Sequence, residues 1–157
     1  MNEIISYIIG KTIDSAPSFI SSRLFPPRKI APQIEIQLQG ESPISINFTG
    51  AIPQVDLYFE MINHSYLSLT SNRMLIDIWF DQPTFQGAIL QRYKIQAMKT
   101  TKNIRYTHYL SEAQKRYIEK FQSNTSSSGQ IHIYITAYFE SNSGLVEVQR
   151  TIERNRI

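Results

Sequence analysis

The chain of 157 residues contains no cysteine, six scattered glycines and no long run of apolar residues. Without cysteine there can be no disulfide, thiolate metal site or cysteine nucleophile, and such a chain suits a reducing cytoplasm. No stretch approaches the roughly 20 apolar residues that a membrane-spanning helix requires, and the N-terminus lacks the pattern of a signal peptide. The few glycines leave no loop that could cradle a phosphate or a dinucleotide.

Charged residues are also few, at 18% of the chain, and the net charge is +3. Hydrophobic residues make up 41%, which is too many for intrinsic disorder. Nine tyrosines, eight phenylalanines and frequent isoleucine favour strands, because aromatic and β-branched side chains fit a pleated surface. The length is that of one ordinary domain. The mildly basic charge permits an anionic partner without requiring one.

Residues 1–25 carry apolar side chains at the spacing of one helical face, so we expect a helix or a helix pair interrupted at Pro17. The face consists of Ile4, Ile5, Ile8, Ile9 and Ile13, followed by Ala16, Phe19, Ile20 and Leu24. It can lie in a membrane surface, dock on a protein partner or a second copy, or pack on its own domain. Packing on its own domain is the simplest of these. If the face binds instead, the first four isoleucines are the candidate contacts.

A proline-rich segment, 26–32, follows, and we expect it to be a stiff extended linker. From residue 33 the apolar period changes to two, which is typical of half-buried strands. The alternation is clearest over residues 131–139, where every second side chain is apolar. Residues 86–98 read as one strand with mixed faces. We therefore assign residues 33–157 to one β-rich domain.

One helix is expected inside this domain, at about residues 111–122. Ser111 and Gln114 form a capping-box pattern, which marks the start of a helix. The remaining segments suggest about seven strands with mainly short connections, ending in a hairpin of residues 130–140 and 145–153. The sequence thus predicts a mainly β fold, an immunoglobulin/fibronectin-like antiparallel β-sandwich with one inserted helix and an N-terminal helical segment.

The order of these segments resembles the late-embryogenesis-abundant group 2 family, also called the water-stress and hypersensitive-response (WHy) domain. The segments that carry the likeness are strand 55–62 leading into Asn63, the apolar residues of 66–69, strand 74–80, the glycine-containing strand 85–88, helix 111–122 and the final hairpin. The family's Asn-Pro turn is Asn63-His64 here, without proline. The resemblance implies a fibronectin-like sandwich plus one helix, no enzyme activity, and a stress-associated or membrane-proximal accessory role.

No group of residues has the spacing of a catalytic or metal site. The histidines His64, His108 and His132 show no ligand spacing, so we expect them to be solvated and expect no metal and no cofactor. Asp56 and Asp77 lie on the predicted outer faces of two strands. Nothing in the sequence would desolvate one acid and keep another ionised, which acid–base catalysis requires. We therefore expect a protein that is not an enzyme.

A basic and tyrosine-rich stretch gives an alternative hypothesis. Its candidate residues are Arg92, Lys94, Lys99, Lys102 and Arg105, accompanied by Tyr93, Tyr106, Tyr109, Lys115 and Arg116. On one sheet face, such residues could bind single-stranded nucleic acid through phosphate contacts and base stacking. The simpler interpretation is an ordinary polar sheet face, and Glu112 and Glu119 interrupt the positive charge.

Aromatic residues are also expected on one or more strand faces. Trp79 shares a face with Asp77, and Tyr134 and Tyr138 share one with His132. If these faces point outward they suit a binding surface, and otherwise they lie under the N-terminal helix. Our leading hypothesis is a non-enzymatic binding or accessory module that contacts a protein partner, a second copy or a membrane surface. We expect it in the cytoplasm, with a peripheral membrane position as one form of this hypothesis.

Overall fold

The computed structural model describes residues 11–13, 15–124 and 129–155, and it contains two antiparallel β-sheets with short helices. The strands are β1 (Ile34–Leu38), β2 (Ile44–Asn47), β3 (Gln54–Asn63), β4 (Leu69–Phe80), β5 (Gln82–Ile89), β6 (Tyr93–Ile95), β7 (Lys99–Tyr109), β8 (Gln130–Ser141) and β9 (Gly144–Asn155). The helices are α1 (Ser18–Leu24), α2 (Pro27–Ile30) and α3 (Glu112–Ser123), and a 3-10 turn covers Ala31–Gln33.

The first sheet is built around β3, which pairs with β7 on one edge and with both β1 and β2 on the other. β1 pairs with residues 59–63 of β3 and β2 with residues 54–57, so the two short strands follow each other along one edge. Between them, the Gln39 N–H donates to the Tyr58 carbonyl and the Tyr58 N–H donates to the Pro43 carbonyl. This sheet therefore has three strand positions.

The second sheet has four strand positions, because β5 and β6 also share one edge. Both pair with β4, β5 along residues 74–80 and β6 along residues 69–71. β8 pairs with the other edge of β4, and β9 pairs with β8 and ends the sheet. The nine described strands thus fill seven positions in two antiparallel sheets, which confirms the predicted β-sandwich of about seven strands.

The core lies between the two sheets, and the period of two decides which side chains enter it. Leu57, Phe59 and Met61 of β3 are fully buried, and β4 contributes Ile78 and Phe80. The alternating apolar side chains of β8, from Ile131 to Phe139, are buried as the sequence predicts. Full burial of one such side chain stabilises the fold by about 1.5–3 kcal/mol, so this layer dominates the stability.

Helix α3 packs against one end of the sandwich, as its position between β7 and β8 requires. The predicted capping box is confirmed: the Gln114 N–H donates to the Ser111 hydroxyl, and the Ser111 N–H donates to the Gln114 side-chain oxygen. Phe121 packs edge to face against Phe80, with ring centroids 5.2 Å apart. The Tyr117 hydroxyl donates to the Phe80 carbonyl. The helix therefore serves the packing of the fold.

The prediction of an extended linker over 26–32 is wrong, because this segment is helical and packed. Pro27 begins α2 and Pro32 lies in the first turn of the 3-10 helix, where the missing proline N–H costs no hydrogen bond. Ile30 is 1% exposed and belongs to the hydrophobic core. Arg150 of β9 donates from its guanidinium Nη2 to the Ala31 and Ile34 carbonyls. The domain boundaries themselves stay a prediction.

The prediction of a single strand over 86–98 is also wrong. β5 ends at Ile89, β6 covers Tyr93–Ile95, and β7 begins at Lys99. The two short strands pair with different parts of β4, and Leu90 between them is exposed. Each therefore buries its own apolar residues, Phe85 and Ile89 in β5 and Ile95 in β6. That arrangement explains the mixed faces of this stretch.

Candidate functional site

The N-terminal segment docks on the end of the sandwich opposite to α3, at the turn between β8 and β9. The Asn142 side-chain amide donates to the Ala16 carbonyl at 2.5 Å and to the Ser21 hydroxyl at 3.3 Å. Ser21 is the buried residue of α1, at 1% exposure. Pro27 lies against the same turn, 3.9 Å from the position that a Cβ on Gly144 would take. The helix therefore presents its serine to the domain.

The apolar side of α1 points to solvent as a consequence. Phe19 is 72% exposed, Leu24 62% and Ile20 39%. We call these three side chains the tip face. Single exposed apolar residues are ordinary on protein surfaces. Three neighbouring ones on a short helix form a patch that suits contact with another molecule or a membrane surface.

The expectation that the N-terminal segment packs on its own domain holds for only part of it. Ile13, Phe25 and Ile30 pack on the core, whereas the apolar residues of α1 do not. The reason is that the β8–β9 turn presents the Asn142 amide, and the Ser21 hydroxyl rather than an apolar side chain accepts from it. The candidate contacts Ile4, Ile5, Ile8 and Ile9 lie outside the described residues.

A shallow polar groove of about 370 Å³ lies beside the docked segment. It is lined by Ser68, Thr70, Lys94, Glu140, Ser141 and Asn142. Arg92 donates to Glu140 at 2.8 Å, an exposed ion pair of small energetic value. The groove contains both Lys94 and Asn142, so one predicted basic residue lies near the turn that receives α1.

The five predicted basic residues do not form one sheet face. Lys94 pairs with Thr70 in the second sheet, whereas Arg105 pairs with Tyr58 in the first. The remaining residues are Arg92, which precedes β6, and Lys99 and Lys102, which are exposed on β7. The expectation of a common face is therefore wrong, because β6 and β7 belong to different sheets. Nucleic-acid binding stays a prediction, and the five basic residues do not provide a single sheet face for it.

Arg105 is also engaged by a carboxylate, which the sequence did not indicate. Its guanidinium donates two hydrogen bonds to Asp56, Nε to Oδ1 at 3.1 Å and Nη2 to Oδ2 at 2.9 Å. Thr107 and Gln54 also donate to this carboxylate, at 2.5 Å and 3.0 Å. Burial alone raises the pKa of Asp56, but these hydrogen bonds and the Arg105 charge outweigh it, so the pKa is lowered. The cluster ties β3 to β7.

We expect Asp56 to stabilise the fold at neutral pH and to lose this effect in acid. Its pKa is lower in the folded chain than in the unfolded chain, so the contribution is complete above the ordinary aspartate pKa of about 4. It disappears as the pH falls through the lowered value. Urea unfolding across this range should show a weaker acid loss of stability in Asp56→Asn than in the wild type. Equal slopes in the variant and the wild type would contradict the prediction.

The outer face of the second sheet carries the predicted aromatic residues Trp79, Tyr134 and Tyr138. Trp79 and Tyr134 meet edge to face with centroids 5.1 Å apart, and His132 stacks on Tyr134 at 6.3 Å. The Arg73 guanidinium lies 5.0 Å from the Tyr138 ring centre. The rings of Trp79, Tyr134 and Tyr138 are half-buried. The face is therefore less available to a partner than the tip face.

Two buried clusters join loops and strands across the sandwich. Asn63 is fully buried, and its side chain bonds the loop after β3 to the segment between β6 and β7. At the facing edges of β5 and β7, the Tyr106 hydroxyl lies over Gly87 and 3.3 Å from the His108 Nδ1. Burial lowers the pKa of His108, and its ring stacks on Phe85 at 4.3 Å. Both clusters serve packing, and the expectation that His108 is solvated is wrong.

Sequence reasoning missed Asn142 and Ser21, which set the direction of α1. In the sequence, Asn142 is one polar residue of a hairpin turn, and its partners lie 121 and 126 positions away. No local signal connects such distant residues. Within the described part of the chain, no group of three or more histidines or acids could hold a metal ion. Over the same residues, no helix is long and apolar enough to cross a membrane.

Comparison with known proteins gives structural similarities alone. No protein-family model and no curated protein sequence matches the chain. A protein from Archaeoglobus fulgidus is similar with 8% identity and a TM-score of 0.47, over 79% of this chain and 95% of that one. Red sea bream transglutaminase is similar with 11% identity and a TM-score of 0.38. The similarity covers 83% of this chain but only 17% of the transglutaminase chain.

A third similar structure is described as that of a candidate late embryogenesis abundant (LEA) protein. Its sequence is 15% identical to this chain, and the TM-score is 0.44. The similarity covers 97% of this chain and 92% of the LEA protein's chain. The narrower resemblance to the WHy domain stays a prediction. The assignment of a β-sandwich rests on the strand pairing within the chain itself.

Proposed function

We propose that this protein is a non-enzymatic binding or accessory module that contacts its partner through the tip face. One observation carries the proposal: α1 buries Ser21 against the sandwich and leaves Phe19 and Leu24 more than half exposed. Removing one such side chain from water stabilises a complex by about 1.5–3 kcal/mol when burial is complete. A protein partner, a second copy of the chain or a membrane surface can supply that burial.

The way in which α1 is held supports a binding role. Phe25 and Ile30, which follow α1, pack on the core. The Asn142 side chain bonds to Ala16, just before α1, and to Ser21 within it. A surface held in this way is already ordered before it binds. Little conformational entropy is then lost on contact, which favours affinity.

The non-enzymatic part of the proposal is supported by the roles of the perturbed titratable groups. Asp56 is bonded within the first sheet, and Tyr117 donates to a backbone carbonyl below α3. Tyr106 and His108 bond to each other where β5 meets β7. Each of these side chains has a hydrogen-bond partner within the fold. A stress-associated role is the further expectation that the resemblance to the LEA group 2 family adds.

Hydrophobic-interaction chromatography and light scattering test the proposal. The double variant Phe19→Ser/Leu24→Ser removes the most exposed side chains of the tip face. The matched control, Ile52→Ser/Leu90→Ser, removes two side chains that are 59% and 70% exposed but separate from it. We expect the tip variant to lose more retention than the control, and any self-association of the wild type to disappear with it. Equal retention of the two variants would overturn the proposal.

A further inference from the structure

The segment that carries the tip face contains basic residues and no acidic ones. Residues 15–34 contain Arg23, Arg28 and Lys29 and no acidic residue. The other thirteen basic residues are matched by all thirteen acidic residues, so this stretch of 20 residues carries the whole net charge of +3. All three cations are exposed. The apolar patch is therefore bordered by positive charge that no acid within the same segment neutralises.

The positions of these cations suit a flat anionic surface. Arg23 lies in α1 between Phe19 and Leu24, and Arg28 and Lys29 follow in α2. Lys94 lines the groove that also contains Asn142, the residue that bonds to α1. Long basic side chains can extend their charges to lipid head groups while nearby apolar side chains enter the hydrocarbon boundary. A membrane accepts protruding side chains without a complementary pocket.

We propose that the tip face seats the protein on the surface of an anionic lipid bilayer, with Phe19, Ile20 and Leu24 inserted and Arg23, Arg28 and Lys29 on the head groups. This inference rests on the proposed function and names its partner. The bilayer is favoured as the partner because it accepts protruding apolar side chains and exposed cations together, without a complementary pocket. Here Arg23 lies on the same helix as the three apolar side chains, and Arg28 and Lys29 follow on the next helix. Basic and apolar side chains in such combination are typical of interfacial helices.

Vesicle flotation of the full chain tests the inference, using phosphatidylcholine alone and phosphatidylcholine with phosphatidylserine. We expect flotation with the anionic vesicles and little with the neutral ones. Raising the salt until the Debye length falls from about 10 Å to about 3 Å should release the protein. Phe19→Ser/Leu24→Ser should weaken binding by at least about tenfold, because it removes the insertion.

The charge contribution is tested with Arg28→Gln/Lys29→Gln. Each cation near an anionic leaflet contributes about fivefold to binding, so this variant should bind about 25-fold more weakly. Arg116→Gln/Lys120→Gln on α3, at the opposite end, changes the net charge equally and should bind like the wild type. Circular dichroism and thermal unfolding check that every variant is folded.

Three results would overturn the inference. They are equal flotation with neutral and anionic vesicles, no flotation with either, and an equal loss in the α3 control. If flotation fails while the tip variant still loses column retention or self-association, the tip face binds a protein or a second copy, and the proposed function stands without the membrane. If retention and self-association are also unchanged, the proposed function fails as well.

Discussion

Replacing Asn63 by aspartate is expected to lower the free energy of unfolding by about 3–5 kcal/mol. The Asn63 side chain is fully buried and serves as both donor and acceptor. Its amide nitrogen donates to the carbonyls of Leu67, Ile95 and Gln96, at 2.8, 3.4 and 3.2 Å. Its oxygen accepts from the N–H and the hydroxyl of Ser65.

Aspartate keeps the acceptor but replaces the donor with an oxygen that faces three carbonyl oxygens. The carbonyls lose their bonds, and a buried carboxylate without a positive partner is strongly disfavoured. Urea unfolding at neutral pH measures the effect. Asn47→Asp is the matched control: Asn47 is exposed, and its oxygen accepts from Thr49 and Gly50, which aspartate can preserve. The control should change stability by less than about 0.5 kcal/mol, and a similar effect in both variants would refute the role of Asn63.

Replacing Gly87 by alanine is expected to cost about 1–3 kcal/mol through overpacking. A Cβ at this position would lie 1.9 Å from the Tyr106 hydroxyl oxygen and 2.8 Å from the ring carbon that bears it. Tyr106 is buried, and its hydroxyl bonds to His108, so the ring cannot move without disturbing that contact. Glycine is therefore required here by the close approach of β7 to β5.

The matched control is Gly50→Ala, where the nearest atom to an added Cβ is 3.5 Å away. It should be neutral or stabilise by roughly 0.5 kcal/mol, because alanine has less freedom in the unfolded chain. Tyr106→Phe should partly restore the Gly87→Ala variant, since it removes the 1.9 Å contact and leaves the 2.8 Å one. Thermal unfolding of the four proteins measures these differences. The account fails if Gly87→Ala is as stable as Gly50→Ala.

Local chemistry explains the predictions that the structure confirms. The alternation of β8 and the capping box of Ser111 and Gln114 act over a few neighbouring residues, so their meaning does not depend on distant contacts. The wrong predictions concern segments whose conformation depends on how they pack against the rest of the domain. The prolines of 26–32 permit an extended chain or a first helical turn, and the burial of Ile30 favours the helix.

The candidate site was only partly predictable for the same reason. The sequence indicates that α1 has an apolar side, but the direction of that side depends on Ser21 and Asn142, which are 121 positions apart. Similarly, Arg105 looks like a free cation in the sequence, and Asp56 becomes its partner only when β3 pairs with β7. Contacts of this kind follow from strand register across sheets, which one sequence does not specify.

The sequence by itself determined the β-rich class, the inserted helix and the concentration of positive charge in residues 15–34, because period, capping chemistry and charge are local properties. The tertiary structure decided which apolar residues are covered and which are left in water. Phe19 and Leu24 point outward because α1 turns Ser21 toward the Asn142 amide of the β8–β9 turn. The exposed apolar side of this amphipathic helix is therefore the candidate binding surface.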